Sequence, residues 1–490
     1  MGKLKTIFKD TAIYGLSSII GRFLNYLLVP LYTAQLSAAS GGYGIITNIY
    51  AYVAVGLVLL TFGMETTYFR FTNKTHTDSE TVYGTTLISV GSVSLIFAAI
   101  VLALLSPISQ LMGYGEHPEY VGVMAVTVAI DAFLCIPFAH LRQQKKAIKF
   151  AALKLLNIVV SIALNVLYFA VLDGKDVGYA FYINLVCTAL LAVCLFTEYT
   201  GFRWKLDKKL LRTMLSYSWP ILVLGIAGIL NQTADKMLFP YIYEGSDMRE
   251  QLGIYGACSK RAMIMAMITQ AFRFAYEPIV FAGVKDKDQH EMYAKAMKYF
   301  IIFTLLAFLI VVGYMDILKI LIIRNTDYWV GVKVVPIVMA AEIMMGVYFN
   351  LSFWYKIIDK TIWGAIFSGI GCAVLLVVNI VFVPRYGYMA CAWGGFAGYG
   401  MAMLVSYFVG QKYYPLKYPL KDIAIYVVMA VVLTMAMYKV HDDQPMWLSL
   451  TANTLLIGIF VAYIIWRDLP LSNLPVIGKY FRKPNYKIKQ

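Results

Sequence analysis

The segment from Thr11 to Leu36, TAIYGLSSIIGRFLNYLLVPLYTAQL, limits what this chain can fold into more than any other. It is long enough to cross a bilayer, which takes about 20 mostly apolar residues. Yet Arg22 and Asn25 stand in its middle and Pro30 follows them. A charge at bilayer depth costs on the order of 3 kcal/mol on insertion scales, so it faces protein or a water-filled path. The proline frees a backbone carbonyl that a neighbouring helix or a water must satisfy. Such a helix cannot be a lone anchor; it needs a bundle around it. About 210 residues later the chain writes a related segment, WPILVLGIAGILNQTADKMLFPYIY. Aligning Pro30 with Pro240 sets Arg22 opposite Gln232 and Asn25 opposite Asp235, with Lys236 beside it. Each segment leads through a short loop to a Tyr-Gly pair, Tyr43-Gly44 and Tyr255-Gly256. The pattern predicts two copies of one unit, each opening with a polar, proline-broken membrane helix.

Composition agrees with a bundle in lipid. The chain is 60% hydrophobic and 14% charged, where a soluble domain carries about 25% charged residues. The expected fold is an all-α polytopic membrane protein of about 14 transmembrane helices. Apolar windows place six near 11–36, 43–69, 81–105, 119–139, 151–172 and 178–199. Six more fall near 215–240, 253–281, 296–315, 331–355, 362–383 and 388–410, and a last pair near 422–438 and 446–466. This divides the chain into a six-helix lobe at 1–210, a second at 211–411, and an extra helix pair with a basic tail at 412–490. Asn165 and Asn379 close the fifth and eleventh spans, and an outer turn then leads to Gly178-Tyr179 and Gly387-Tyr388. Six spans separate the copies, so both run in the same direction. Parallel repeats imply a two-fold axis along the membrane normal and a cavity between the lobes.

The placement of charge orients the bundle. Loops on the side of both termini hold 29 of the Lys and Arg residues, and the opposite loops hold seven. Cytoplasmic loops carry the Lys/Arg excess, so both termini are expected inside. The net charge of +15 is then mostly topology and argues against a nucleic-acid partner. The basic start MGKLKTIFKD precedes an apolar run without a small-residue cleavage site, which reads as a retained first span. Six cysteines fall in apolar runs without a CxxC, and five histidines show no metal spacing. No nucleophile–base pair or phosphate-binding glycine loop is present, and GGYG at Gly41–Gly44 is a turn between spans. Neither an enzyme nor a resident cofactor or metal is expected.

What chemistry the chain has lies in its intramembrane charges. The cations are Arg22, Lys154, Lys236, Lys260, Arg261 and Arg273; the acids are Glu65, Asp131, Asp235, Glu277 and Glu342. Arg22 and Asn25 are three residues apart and share a helix face; either they face the inter-lobe cavity or Arg22 pairs with Glu65 or Asp235. Asp235 and Lys236 point about 100° apart, so at least one faces protein. Lys260 and Arg261 lie about two turns into their span, where one of them can line the cavity. Arg273 and Glu277 are spaced for a pair within one helix, with substrate contact as the rival reading. Glu65 and Arg70 are five apart, a poor same-face spacing, which suits partners on other helices, either in an inner gate or in a static network. Asp131 and Glu342 are lone acids that a coupling proton or sodium ion could use.

Three stretches carry a resemblance. FGMETTYFRF, with Gly63, Glu65 and Arg70, resembles the G-x-E-x-x-x-x-R-F signature of bacterial polysaccharide exporters. FRFAYEPIVF resembles their A-x-x-P segment, and YFNLSFWYKIIDKT resembles their loop into the eleventh span. In this order, with the six-plus-six repeat, they resemble the oligosaccharide-lipid branch of the multidrug/oligosaccharidyl-lipid/polysaccharide exporter superfamily, which includes O-antigen-type flippases. The resemblance implies turning of undecaprenyl-diphosphate-linked oligosaccharide from the inner to the outer leaflet of a bacterial inner membrane by alternating access. The intramembrane charges then supply the candidates: Arg22, Asn25, Lys236, Lys260, Arg261 and Arg273 for substrate contact, and Glu65, Arg70, Asp235 and Glu277 for gating or ion coupling. Membrane lipids are partners, and glycosyltransferases or a polysaccharide polymerase are candidates. A diphosphate needs cations and donors, with arginine suited to its oxygens. A drug–cation antiporter uses carboxylates instead, and a non-transporting scaffold for glycan assembly is the third reading.

The orientation is checked by cysteine labelling from the outer side. Glu116→Cys is expected to react and Lys208→Cys to stay protected; the reverse pattern would invert the topology.

Overall fold

The computed structural model describes residues 27–74, 78–200, 204–282, 289–358, 360 and 362–468. Arg22 and Asn25 lie outside these. Every regular element among the described residues is helical. The first part of the chain supplies α1 (Leu28–Gln35), α2 (Gly42–Thr61), α3 (Met64–Lys74), α4 (Ser79–Ala103), α5 (Leu105–Leu111) and α6 (Pro118–Gln143). Next come α7 (Ala147–Asn165), which runs on as a π-helical turn over Val166–Val171, then α8 (Gly178–Cys194) and α9 (Phe196–Thr200). Two long helices follow, α10 (Lys208–Ile242) and α11 (Met248–Ala282), then α12 (Gln289–Gly313) and α13 (Met315–Ile322). A 3-10 stretch at Thr326–Val334 leads into α14 (Val335–Leu351), followed by α15 (Phe353–Ile357), α16 (Ile362–Tyr386), α17 (Tyr388–Tyr413), α18 (Leu420–Asp443) and α19 (Met446–Arg467).

Helices are what apolar runs of this length must form in lipid, because a helix satisfies its backbone internally. Among the described residues, 11 helices are long and apolar enough to cross a membrane. The shorter apolar α8 and the 35-residue α11 occupy two further expected spans. The expected seventh span begins earlier than its apolar window, because Asp207 caps α10 by accepting from the Lys209 and Leu210 amides at 2.9 and 3.0 Å. The 331–355 window likewise starts sooner, as the 3-10 turn capped by Asn325, which accepts from the Asp327 amide at 3.0 Å.

By packing, the chain forms two compact units. One consists of residues 279–320 and 415 onward, so it contains α12, α18 and α19. Polar side chains tie its helices at both ends. Lys298 of α12 meets Asp422 at 2.9 Å and also pairs with Asp468, which accepts from Tyr426 at 2.5 Å; Arg467 pairs with Asp422. Farther along, Asn453 donates to the Gly313 carbonyl at 2.8 Å.

The other unit consists of residues up to 278 and 321–414. Its long element is α10, which packs on α2, α16 and α17. The sequence predicts a helix broken at Pro240, and the structure corrects this. Helix α10 passes through Pro220 and ends two residues beyond Pro240. A proline removes the bond to the carbonyl four residues back, here that of Lys236. Asn48 of α2 donates to this carbonyl at 2.7 Å, and Tyr52 reaches the next one, of Met237, at 3.4 Å. Asn48 is itself 1% exposed and accepts from the Tyr114 hydroxyl at 2.8 Å. The neighbouring helix thus supplies the missing donor, and the helix has no reason to break.

Helix α2 also crosses α11, and the two Tyr-Gly pairs lie at that crossing. A β-carbon on Gly44 would sit 2.0 Å from the Arg249 carbonyl oxygen, and one on Gly256 would sit 2.1 Å from the Thr47 hydroxyl. Small residues let membrane helices approach this closely.

Asn48→Leu leaves the Lys236 carbonyl and the Tyr114 hydroxyl without partners, at about 1–3 kcal/mol for each buried group. We expect a lower temperature of heat-induced aggregation in detergent for Asn48→Leu. A midpoint equal to that of the parent would show that the freed carbonyl needs no side-chain donor.

Candidate functional site

Helices α10, α11, α14 and α17 bring a polar seam together in the second half. Asp235 is 6% exposed and accepts from the Tyr255 hydroxyl at 2.6 Å. Lys236 folds back on its own helix. Its ammonium lies 3.1 Å from Asp235 Oδ1, donates to the Gln232 carbonyl at 2.9 Å and stands 5.3 Å from the centre of the Tyr255 ring. Adjacent residues that start 100° apart therefore meet, because the lysine stem is long enough to curl. Tyr399 of α17 donates to the Asn231 carbonyl at 3.3 Å, and the Asn231 amide donates to the Ser368 carbonyl at 2.9 Å. Glu342 of α14 has Lys236 as its charged neighbour, and one of its oxygens is buried without a hydrogen bond. Lys260 of α11 is exposed, with Lys236 as a like-charged neighbour, and makes no ion pair among the described residues. The seam holds two cations and two carboxylates, and only Lys260 stands apart from an acid.

The G-x-E-x-x-x-x-R-F stretch is a corner between α2 and α3. Phe62 and Gly63 have φ of 50° and 66°. A β-carbon on Gly63 would lie 2.9 Å from Ile221 of α10, so both the backbone and the space require glycine. Glu65 pairs with Arg142 at the end of α6 and accepts from the Cys135 thiol at 3.1 Å. Arg70 lies over the Tyr217 ring at 4.1 Å from its centre. Phe71, 8% exposed, meets the edge of the same ring at 6.2 Å. Glu65 and Arg70 therefore have separate partners. The glutamate pair stays within residues 1–210, whereas the arginine reaches α10. Nearby, Glu198 lies 2.6 Å from Lys149 and 3.7 Å from Lys146. Burial pushes its carboxyl up, but these lysines outweigh burial and hold it below the usual glutamate value.

Of the other expected residues, Asp131 accepts from Thr188 at 3.0 Å, and Lys154 lies over the Phe138 ring at 4.1 Å. Each is the other's opposite-charge neighbour. Arg261, Arg273 and Glu277 belong to α11 by backbone, and their side chains lie outside what is described. Sequence reasoning missed Asn48, Arg142 and Tyr217, and marked Tyr255 only as half of a Tyr-Gly pair. Asn48 carried a signal, an amide one helix away from a proline segment. The others are an aromatic or a loop cation among many.

A family profile described as "Polysaccharide biosynthesis protein" matches residues 39–332, more than half of the chain. No curated protein sequence matches. Among solved structures, the fold is similar to that of the lipid II flippase MurJ in an inward closed conformation. That likeness has a TM-score of 0.73 at 13% identity and covers 92% of this chain and 98% of the other. It is also similar to an inward-facing MATE family multidrug resistance transporter of the MOP superfamily, with TM-score 0.63, 14% identity, and 82% and 94% of the two chains covered. The MATE multidrug transporter DinF-BH follows at 0.60, with 17% identity and 84% and 97% covered.

The Glu65–Arg142 pair is testable by exchange. Glu65→Gln removes one partner of a partly buried pair, and we expect less folded protein in the membrane. Glu65→Arg combined with Arg142→Glu should recover a substantial part of that loss. A double exchange no better than the worse single change would show that the two act separately.

Proposed function

The chain belongs to the polysaccharide biosynthesis protein family, and from that premise we propose that it is a flippase. It carries undecaprenyl-diphosphate-linked oligosaccharide from the inner to the outer leaflet by alternating access, in a bacterial cytoplasmic membrane with both termini inside. The observation that carries this reading is Lys260, an exposed cation within a membrane bundle, beside a seam whose other lysine is held by Asp235. An intramembrane cation faces a hydrated space or a counter-charge, and a diphosphate can supply that charge. In this proposal Arg22, Asn25, Lys236, Lys260, Arg261 and Arg273 contact the head group between a lobe at 1–210 and a lobe at 211–411. Residues 412–490 add two helices. Glu65, Arg70, Asp235 and Glu277 act in gating or in coupling to a proton or sodium gradient.

One observation favours a second reading. Asp235 and Glu342 put two carboxylates in the seam, and carboxylates suit an exporter of cationic drugs. The two readings separate on the sign of charge that transport needs.

Under the flippase reading, Lys260→Ala and Arg22→Ala should leave folded protein near normal while transport of lipid-linked sugar into the outer leaflet falls tenfold or more. Arg22→Lys should rescue only partly, because it keeps the charge and loses the planar fork. Normal flipping in both alanine variants would remove the cationic site. A loss of drug resistance in Asp235→Asn cells, with flipping intact, would favour the exporter.

A further inference from the structure

A cavity of about 410 Å³ opens at the end of the bundle that the proposed orientation puts outside, within the unit that contains α2, α5, α6 and the first turns of α11. Its walls come from distant parts of the chain. Gln110 belongs to the last turn of α5, Tyr114, Glu116 and His117 to the turn between α5 and α6, Ile45 to α2, and Arg249 to the first turn of α11. The turn is fixed locally. Gly113 has φ of 77°, the Tyr114 amide bonds the Ser109 carbonyl at 2.7 Å, and the Tyr114 hydroxyl bonds buried Asn48 at 2.8 Å. His117 stacks on Tyr120 with ring centres 4.8 Å apart and meets Glu119 at 2.9 Å. Arg249 closes the cavity by donating to the Gly113 carbonyl at 2.9 Å, and Tyr241 of α10 donates to the Leu111 carbonyl at 3.3 Å. Glu116 makes no hydrogen bond or ion pair among the described residues.

We infer that this cavity is a binding site for a neutral sugar unit, formed while Arg249 holds the Gly113 carbonyl. Its volume lies within the range of small-molecule pockets. The lining mixes a guanidinium, a carboxylate, an imidazole and a carboxamide, so donors and acceptors are both at hand for neighbouring hydroxyls. Tyr114 and Ile45, 6% and 8% exposed, form the apolar floor, and the Arg249 guanidinium stands 5.8 Å from the centre of the Tyr114 ring. The one guanidinium is offset by Glu116, with Glu119 beside His117, so the site has no excess positive charge to favour a phosphate. Because Arg249 is both wall and latch, moving α11 away from the turn dismantles the site. A bound sugar therefore favours the latched form.

The inference draws its ligand class from the flippase reading but is tested apart from it, on purified full-length protein in nanodiscs. Saturation-transfer NMR with a panel of neutral mono- and disaccharides, and with inorganic phosphate, reads binding without transport. We expect transfer to ring protons of at least one saccharide, at least a fivefold loss in Glu116→Gln, which leaves the latch intact, and a larger loss in Arg249→Ala. Equal heat stability of Glu116→Gln and the parent excludes misfolding as the cause. No transfer from any saccharide, transfer unchanged in both variants, or phosphate displacing the sugar would each overturn the site. Sugar binding in a protein that does not flip lipid-linked sugar would leave the site standing and sink the flippase reading; flipping without sugar binding would do the reverse.

Discussion

The carbonyl of Lys236, released by Pro240, is the point on which the polar architecture depends. In hydrocarbon an unsatisfied backbone oxygen costs several kcal/mol, more than any one exposed contact here can return. Asn48 answers it, and Tyr114 answers Asn48. This chain of bonds joins α10, α2 and the turn before α6, three segments far apart in sequence. It also fixes where Lys236 stands. The backbone of that residue is held by α2 while its ammonium is held by Asp235 and the Gln232 carbonyl. The proline thus sets the register of two helices instead of interrupting one.

Contacts on either side of this point are of a different kind. Toward one end, Arg249 and Tyr241 bond backbone carbonyls of the turn at 111–113, and these bonds are exposed. Toward the other, Arg70 lies on the Tyr217 ring, and the corner at Gly63 rests on Ile221. Exposed hydrogen bonds and cation–π contacts are worth about 1 kcal/mol or less each, so either set can break without disturbing the buried centre. At the Arg249 end itself, Gly44 faces the Arg249 carbonyl and Gly256 faces Thr47, so α2 and α11 approach with no large side chain between them.

Much of this was legible in the sequence, and the illegible part has a physical cause. The all-helical fold follows from window length, because lipid leaves the backbone few other choices. The demand for a donor near Pro240 followed from the missing amide, although its identity did not. Gly63, Glu65 and Arg70 could be singled out as a motif. Their partners could not, since Arg142 is one of four cations in its stretch and Tyr217 is one of 37 tyrosines. The pairing of Asp235 with Lys236 ran against helical spacing, which describes where side chains start and says nothing of how far a lysine can bend. Arg249 counted only as one loop cation among seven until the fold placed it over the turn at Gly113.

The sign of the seam bears most on mechanism. Lys236 and Lys260 are matched by Asp235 and Glu342, so the described residues alone give a phosphate little net attraction. A diphosphate that engages Lys236 has to compete with Asp235. At 4 Å and an effective dielectric near 20, a unit charge pair is worth about 4 kcal/mol, so a doubly charged head group can compete. The displaced carboxylate would keep the Tyr255 hydroxyl and lose its cation. The acid that holds Lys236 at rest is therefore also the group that a phosphate must displace to reach that lysine.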